Sequence, residues 1–157
     1  MLINDEFFDN VVKVIEQARI YVGRTADLTM CVTYYEVGRI IVEQEQGGKA
    51  RADYGRRLMK ELSAYLSKRT GRGFSLTNLK NAKKFYLTYT PSIQQITPDE
   101  KGQSLTALFK TPQKGQLLTD LFKVSWTHYV VLMRIKNEDE RRFYEEEQSL
   151  LLGGDDE

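Results

Sequence analysis

The 157-residue sequence predicts an all-α protein, about six helices in one compact domain. Three observations lead there. Apolar residues recur at three- and four-residue intervals over most of the chain, the spacing that makes one face of a helix. Between these stretches stand residues that start or stop helices: Gly23, Gly47-Gly48, Gly71-x-Gly73, Ser125 and Asn137. The length suits one well-buried core and is short for two, with 41% hydrophobic and 29% charged residues, as in a soluble globular domain.

Taken in order, the first helix is expected from Asp5 to Val22. Phe8, Val11, Val12, Ile15, Ala18 and Val22 form its apolar stripe, read as core scaffold, and Gly23 ends it. A second helix is expected from Asp27, as N-cap, to Gln46, with Leu28, Cys31, Val32, Tyr35 and Val42 on one face. Gly38 falls on the same line, and since glycine costs a helix about 1 kcal/mol, a close helix crossing is its expected reason. The third helix starts at Asp53 and turns Tyr54, Leu58, Leu62, Tyr65 and Leu66 inward. Gly71 and Gly73 then allow a tight turn. Ser75 caps the fourth helix, whose inner side gathers Leu76, Leu79, Ala82, Tyr86 and Tyr89. From Thr90 to Lys123, Pro91, Pro98 and Pro112 interrupt any regular pattern, predicting an irregular excursion with short elements, or a wing beside the fourth helix. Ser125 opens a fifth helix with Trp126, Tyr129, Val130, Leu132 and Met133 facing the core. Asn137-Glu-Asp-Glu140 opens a sixth, which carries Phe143, Tyr144 and Leu150. The domain is placed at residues 1–150, with 151–157 a disordered tail or a boundary.

Several function classes drop out. No apolar run approaches the ~18 residues of a membrane span. The opening residues lack the basic start and apolar centre of a signal peptide, which points to a cytoplasmic address. Cys31 is the one cysteine, so neither an internal disulfide nor a cysteine-rich zinc site is available. His128, the one histidine, has no metal-ligand or catalytic partners near it in sequence and is assigned a structural or surface role. Gly71-x-Gly73 lacks the preceding strand and third glycine of a dinucleotide loop. No catalytic residue, metal site or cofactor is expected.

The net charge of +1 conceals a strong polarity. Residues 49–84 hold eleven Lys/Arg against Asp53 and Glu61, a net of +9, and the remaining 12 basic and 20 acidic residues sum to −8. Such a division suits a face that meets a polyanion. The basic segment is also the one with the order helix, turn, helix (residues 54–89), in which the second helix can enter a nucleic-acid groove. Arg69, Arg72, Lys80, Lys83 and Lys84 are the candidate phosphate contacts. Thr77 and Asn81, on the outer side of the fourth helix, are the candidates for base edges, since Asn can pair in bidentate fashion with adenine.

Several segments together resemble one family: Tyr35-Glu-Val-Gly38-Arg-Ile, Gly48-Lys-Ala-Arg-Ala-Asp-Tyr-Gly55, Gly71-Arg-Gly-Phe-Ser75, Asn78-Leu79, Phe85-Tyr86, Ser125-Trp-Thr-His-Tyr129 and Arg142-Phe-Tyr144. The likeness is to the amino-terminal domain of the YhcG-type bacterial proteins, and it runs from about residue 5 to residue 147. In that family a nuclease domain of the PD-(D/E)-x-K type usually follows. The resemblance therefore implies a DNA-binding module that works with a nuclease domain or subunit, in cis or in trans. The nuclease motif itself is not legible here. Asp99-Glu-Lys101 spells the triplet but has no Pro-Asp pair upstream, so this chain alone is not expected to be an enzyme. The competing expectation is a protein-interaction or dimerisation module without a nucleic-acid role, in which the acidic last helix docks on a neighbour's basic face, as in a homodimer.

Overall fold

The computed structural model describes residues 5–47, 52–96 and 121–153. They form five helices, α1 (Asp5–Gly47), α2 (Ala52–Arg69), α3 (Leu76–Ile96), α4 (Trp126–Leu132) and α5 (Glu138–Gly153). The fold is all-α, as the periodicity predicts, but the first two expected helices are one. α1 runs unbroken for 43 residues, about 65 Å at 1.5 Å per residue. Gly23 does not stop it, and Asp27 lies inside it rather than capping a new helix. Nothing stands within 4 Å of the place a Gly23 Cβ would occupy, so no contact turns the chain there. The Thr29 and Thr33 hydroxyls donate to the carbonyls of Thr25 and Thr29, both at 2.7 Å, adding local bonds along the continuous ladder.

The two halves of α1 have opposite surroundings. From Cys31 to Val42 it is the spine of the core: Cys31, Val32, Tyr34, Tyr35, Ile41 and Val42 are buried, with α3 packed along them. Every residue from Asp5 to Asp27 is exposed. The apolar stripe expected to serve as core scaffold is therefore uncovered, and Phe8, Val11, Val12, Ile15 and Val22 all face solvent.

α1 and α3 cross at Gly38. A methyl group added there would stand 2.1 Å from the Ala82 carbonyl oxygen and 2.9 Å from Tyr86 Cβ, so the close approach foreseen from the sequence is present. Beside the crossing, Phe85 of α3 is fully buried and touches Tyr35, Tyr89, Phe122, Trp126 and Tyr129, with ring centroids 5.0 to 6.2 Å apart. Tyr34 stacks on Trp126 at 4.2 Å. These aromatic rings occupy the centre of the core. A smaller cluster of Ile41, Met59 and Leu79 ties α2 to the other two long helices.

α2 is only half-buried. Its buried residue is Met59, while Tyr65, expected inward, is 57% exposed with the Arg69 guanidinium 5.6 Å from its ring centre. Asp53 sits inside the first turn rather than before it and pairs with Arg56 at 2.6 Å. α3 continues through Pro91 to Ile96, past the Thr90 limit expected from the sequence. Proline cannot donate to the carbonyl four residues back, Leu87. Both residues lie on the exposed side of the helix, where water can satisfy that carbonyl. The Thr90 hydroxyl donates to the Tyr86 carbonyl and meets Tyr35 Oη at 3.0 Å, fixing this turn to α1. Residues 97–120 of the expected excursion, with Asp99-Glu-Lys101 and any wing there, lie outside the described residues, while Leu121 and Phe122 at its end are buried in the core.

Three of the expected caps are in place, at Ser75, Ser125 and Asn137. Ser75 Oγ accepts from Asn78 N at 3.2 Å, Ser125 Oγ from His128 N at 3.4 Å, and Asn137 Oδ1 from Glu140 N at 2.9 Å. His128 Nδ1 also bonds to Ser125 Oγ, which places it in the α4 cap. Cys31 is a small buried hydrophobe on the face expected for it, its Sγ 3.5 Å from the Val124 carbonyl, and burial pushes its thiol up to about 12. α5 extends to Gly153, beyond the expected start of a tail, and residues 154–157 lie outside the described part.

Tyr129 joins α4 to α5. Its hydroxyl accepts from Lys123 N at 3.0 Å and donates to Glu145 Oε1 at 2.8 Å. Burial raises the Glu145 carboxyl above its ordinary value. Over the window between the unfolded and the raised folded pKa, the folded chain holds a proton that the unfolded chain has released. Stability from this group should therefore fall as pH rises through that window, the reverse of a salt-bridged carboxylate. Glu145→Gln keeps an acceptor for Tyr129 without the charge. Urea titrations across that window should show that the variant lacks this part of the pH dependence.

Candidate nucleic-acid interface

The turn between α2 and α3 is built rather than loose. Gly71 and Gly73 take φ of 80° and 112°, a region closed to most side chains. Tyr34 Oη donates to the Gly73 carbonyl at 2.6 Å and Ser63 Oγ to the Phe74 carbonyl at 2.9 Å. Asn78 Nδ2 also donates to the Gly73 carbonyl, at 3.1 Å, and the Phe74 ring lies 5.7 Å from Tyr34. The Gly73-Phe74 side of the turn is thus tied to α1, α2 and α3, and Arg72 projects from the turn as an exposed cation.

Along α3 the core side and the outer side separate cleanly. Leu79, Ala82, Phe85, Tyr89 and Ile93 are buried. Thr77, Lys80 and Lys84 are exposed and Asn81 is half-exposed, at steps of three, one and three residues that make a single outward stripe. Arg69 is exposed at the end of α2, beside Tyr65. Lys83 stands apart: its ammonium is paired with Glu45 on α1 at 2.7 Å, so part of its charge is neutralised within the fold. Arg57, Lys60 and Lys68 on α2 are also exposed cations, as is Arg56, whose charge is shared with Asp53. The Tyr65–Arg69 pair adds an aromatic face where helical periodicity alone would turn the ring inward. The signal for it is the four-residue spacing of a ring and a guanidinium among basic residues.

The profile of the DUF1016 N-terminal domain family matches residues 10–150. The chain belongs to that family. It is also 39% identical over 147 residues to the Escherichia coli (strain K12) protein named "Putative nuclease YhcG", an alignment that covers 89% of this chain. The chain spans 39% of the length of that relative. No solved structure matches it. This member of the DUF1016 N-terminal domain family is therefore similar to one part of a protein named as a nuclease, and the likeness drawn from its motifs holds. Among the described residues no helix is long and apolar enough to cross a membrane.

Proposed function

We propose that this domain is a DNA-binding accessory module of a PD-(D/E)-x-K nuclease-type protein, with the cleavage chemistry supplied by a nuclease domain in cis or in trans. One observation carries the reading: Thr77, Lys80, Asn81 and Lys84 form an outward stripe on α3 opposite its buried face, and Arg72 and Arg69, which precede that helix, are exposed as well. Lys80 and Lys84 would neutralise phosphates, with Thr77 one turn before Lys80 and Asn81 between the two lysines, where a helix in the major groove meets base edges. Arg69, beside Tyr65, offers a cation and a ring together, which suits a nucleic-acid backbone and an unstacked base. In this reading Lys83 is a marginal phosphate partner, because it stays paired with Glu45.

The test is fluorescence anisotropy of a labelled random duplex at several salt concentrations. Removing one phosphate-neutralising lysine should lower the slope of log affinity against log salt by about 0.9. Lys80→Ala/Lys84→Ala should therefore flatten the slope by nearly 2 and weaken binding about tenfold or more at low salt. Asn81→Ala should instead leave the slope intact and relax preference at one base pair. A folded wild-type chain that binds no duplex at low salt would overturn the proposal.

A further inference from the structure

We propose that the exposed amino-terminal half of α1 is an interface with a second copy of this chain, the two helices running antiparallel. This goes beyond the nucleic-acid reading and does not depend on it. Phe8, Val11, Ile15, Ala18 and Val22 follow one another at steps of three, four, three and four residues, the seam of a two-helix coiled coil. Packed globular helices repeat closer to 3.6, and this seam is open to solvent: Phe8, Val11 and Ile15 are 45 to 50% exposed, the Phe8 ring meeting only the edge of its chain neighbour Phe7 among the described rings. Singly exposed apolar residues are ordinary, but an aligned row of this length is the mark of an interaction surface.

What flanks the seam identifies the occupant. One edge carries Phe7, Val14 and Tyr21, seven residues apart, and the other carries Asp5, Val12 and Arg19 at the same spacing. In an antiparallel pair like edges meet, whereas in a parallel pair each edge meets the opposite one. With Phe8 set opposite the partner's Ala18, Val11 falls opposite the partner's Ile15, large against small in each layer. The same register brings Phe7 to the partner's Tyr21 and Val14 to the partner's Val14. On the other edge Asp5 meets the partner's Arg19, Val12 meets the partner's Val12, and Asp9 lies one turn from Asp5 along the same side. By symmetry each charge pair occurs twice. Sliding one heptad sets Arg19 against Val12, and a parallel pair sets Arg19 against Val14. The acidic start and basic later turn of this segment thus complement a reversed copy of itself.

The experiment is sedimentation of the full 157-residue chain over a hundredfold concentration range. The wild type should form a dimer, and Ile15→Glu should leave it monomeric. Asp5→Arg and Arg19→Asp should each weaken the dimer about tenfold or more, because two attractive pairs become repulsive. Mixed in equal amounts, these two variants should restore the wild-type affinity as a heterodimer, since each Arg then faces an Asp. That rescue also shows that both variants are folded. A wild-type chain that stays monomeric, a dimer that survives Ile15→Glu, or a mixture no tighter than its components would each overturn the proposal.

Discussion

Gly38→Ala should destabilise the domain by about 3 kcal/mol or more, and Gly38→Val should leave little of it folded. The added methyl would meet the Ala82 carbonyl oxygen at 2.1 Å, and that atom belongs to the backbone of α3 rather than to a side chain that can rotate away. Relief requires the two helices to part, and the α1–α3 interface is the most extensive among the described helices. Parting them would loosen the packing of Phe85 on Tyr35 and break the bond of Tyr35 Oη with Thr90 Oγ1. With a total stability of order 5–15 kcal/mol, such a change is a large share of the whole. Urea denaturation followed by far-UV circular dichroism measures it. Gly23→Ala is the matched control, because Gly23 has helical neighbours on both sides and open space where its Cβ would be. That change should raise stability by about 0.5–1 kcal/mol. Opposite signs at two glycines of one helix would verify both the crossing and the continuity of α1.

The two glycines also show what a single sequence can and cannot reveal. Gly38 sits among residues whose spacing marks a buried face, so its cost to the helix demands a steric reason, and a crossing supplies one. Gly23 precedes Asp27, a cap-type residue, and the pair looks like a stop followed by a start. A glycine in an exposed helix imposes only its propensity cost, however, and with no tertiary contact bending the chain, the hydrogen bonds run on. Pro91 misleads for a related reason, since its missing donor faces water, where the effect is mild. Periodicity predicts the stripe from Phe8 to Val22 but not its exposure. An amphipathic pattern states that a face needs cover, and it is silent on whether the cover comes from the same chain. Tyr65 falls inward by its period, yet α2 meets the core through Met59 and its half-buried leucines, and the ring rests beside Arg69 instead. The exposure of Arg69, Arg72, Lys80 and Lys84 is readable because charge on an outer face needs no partner in the fold. Only the pairing of Lys83 with Glu45, 38 positions apart in sequence, is beyond reach.

Phe85→Ala should cost about 3–5 kcal/mol, the usual range for deleting a buried ring. Phe85 has no exposed surface, and five aromatic rings surround it, from α1, α3, α4 and the segment leading into α4. Tyr129 is pinned through its hydroxyl to Lys123 N and Glu145, so it cannot easily swing in to fill the cavity. Phe85→Leu keeps most of the volume and should cost clearly less, about 1–2 kcal/mol. Leu87→Ala, two residues away on the exposed side, should change stability by about 0.5 kcal/mol or less. The same helix presents Lys80 and Lys84 to solvent, so one experiment separates the core role of α3 from its proposed role in binding nucleic acid. At a temperature where Phe85→Leu remains folded, it should bind duplex as tightly as wild type and with the same salt slope. Lys80→Ala/Lys84→Ala should do the reverse, keeping its unfolding midpoint while its affinity falls. If the core variant failed to bind while still folded, affinity would depend on fine positioning of α3, and the stripe would be reading groove shape as well as phosphate charge.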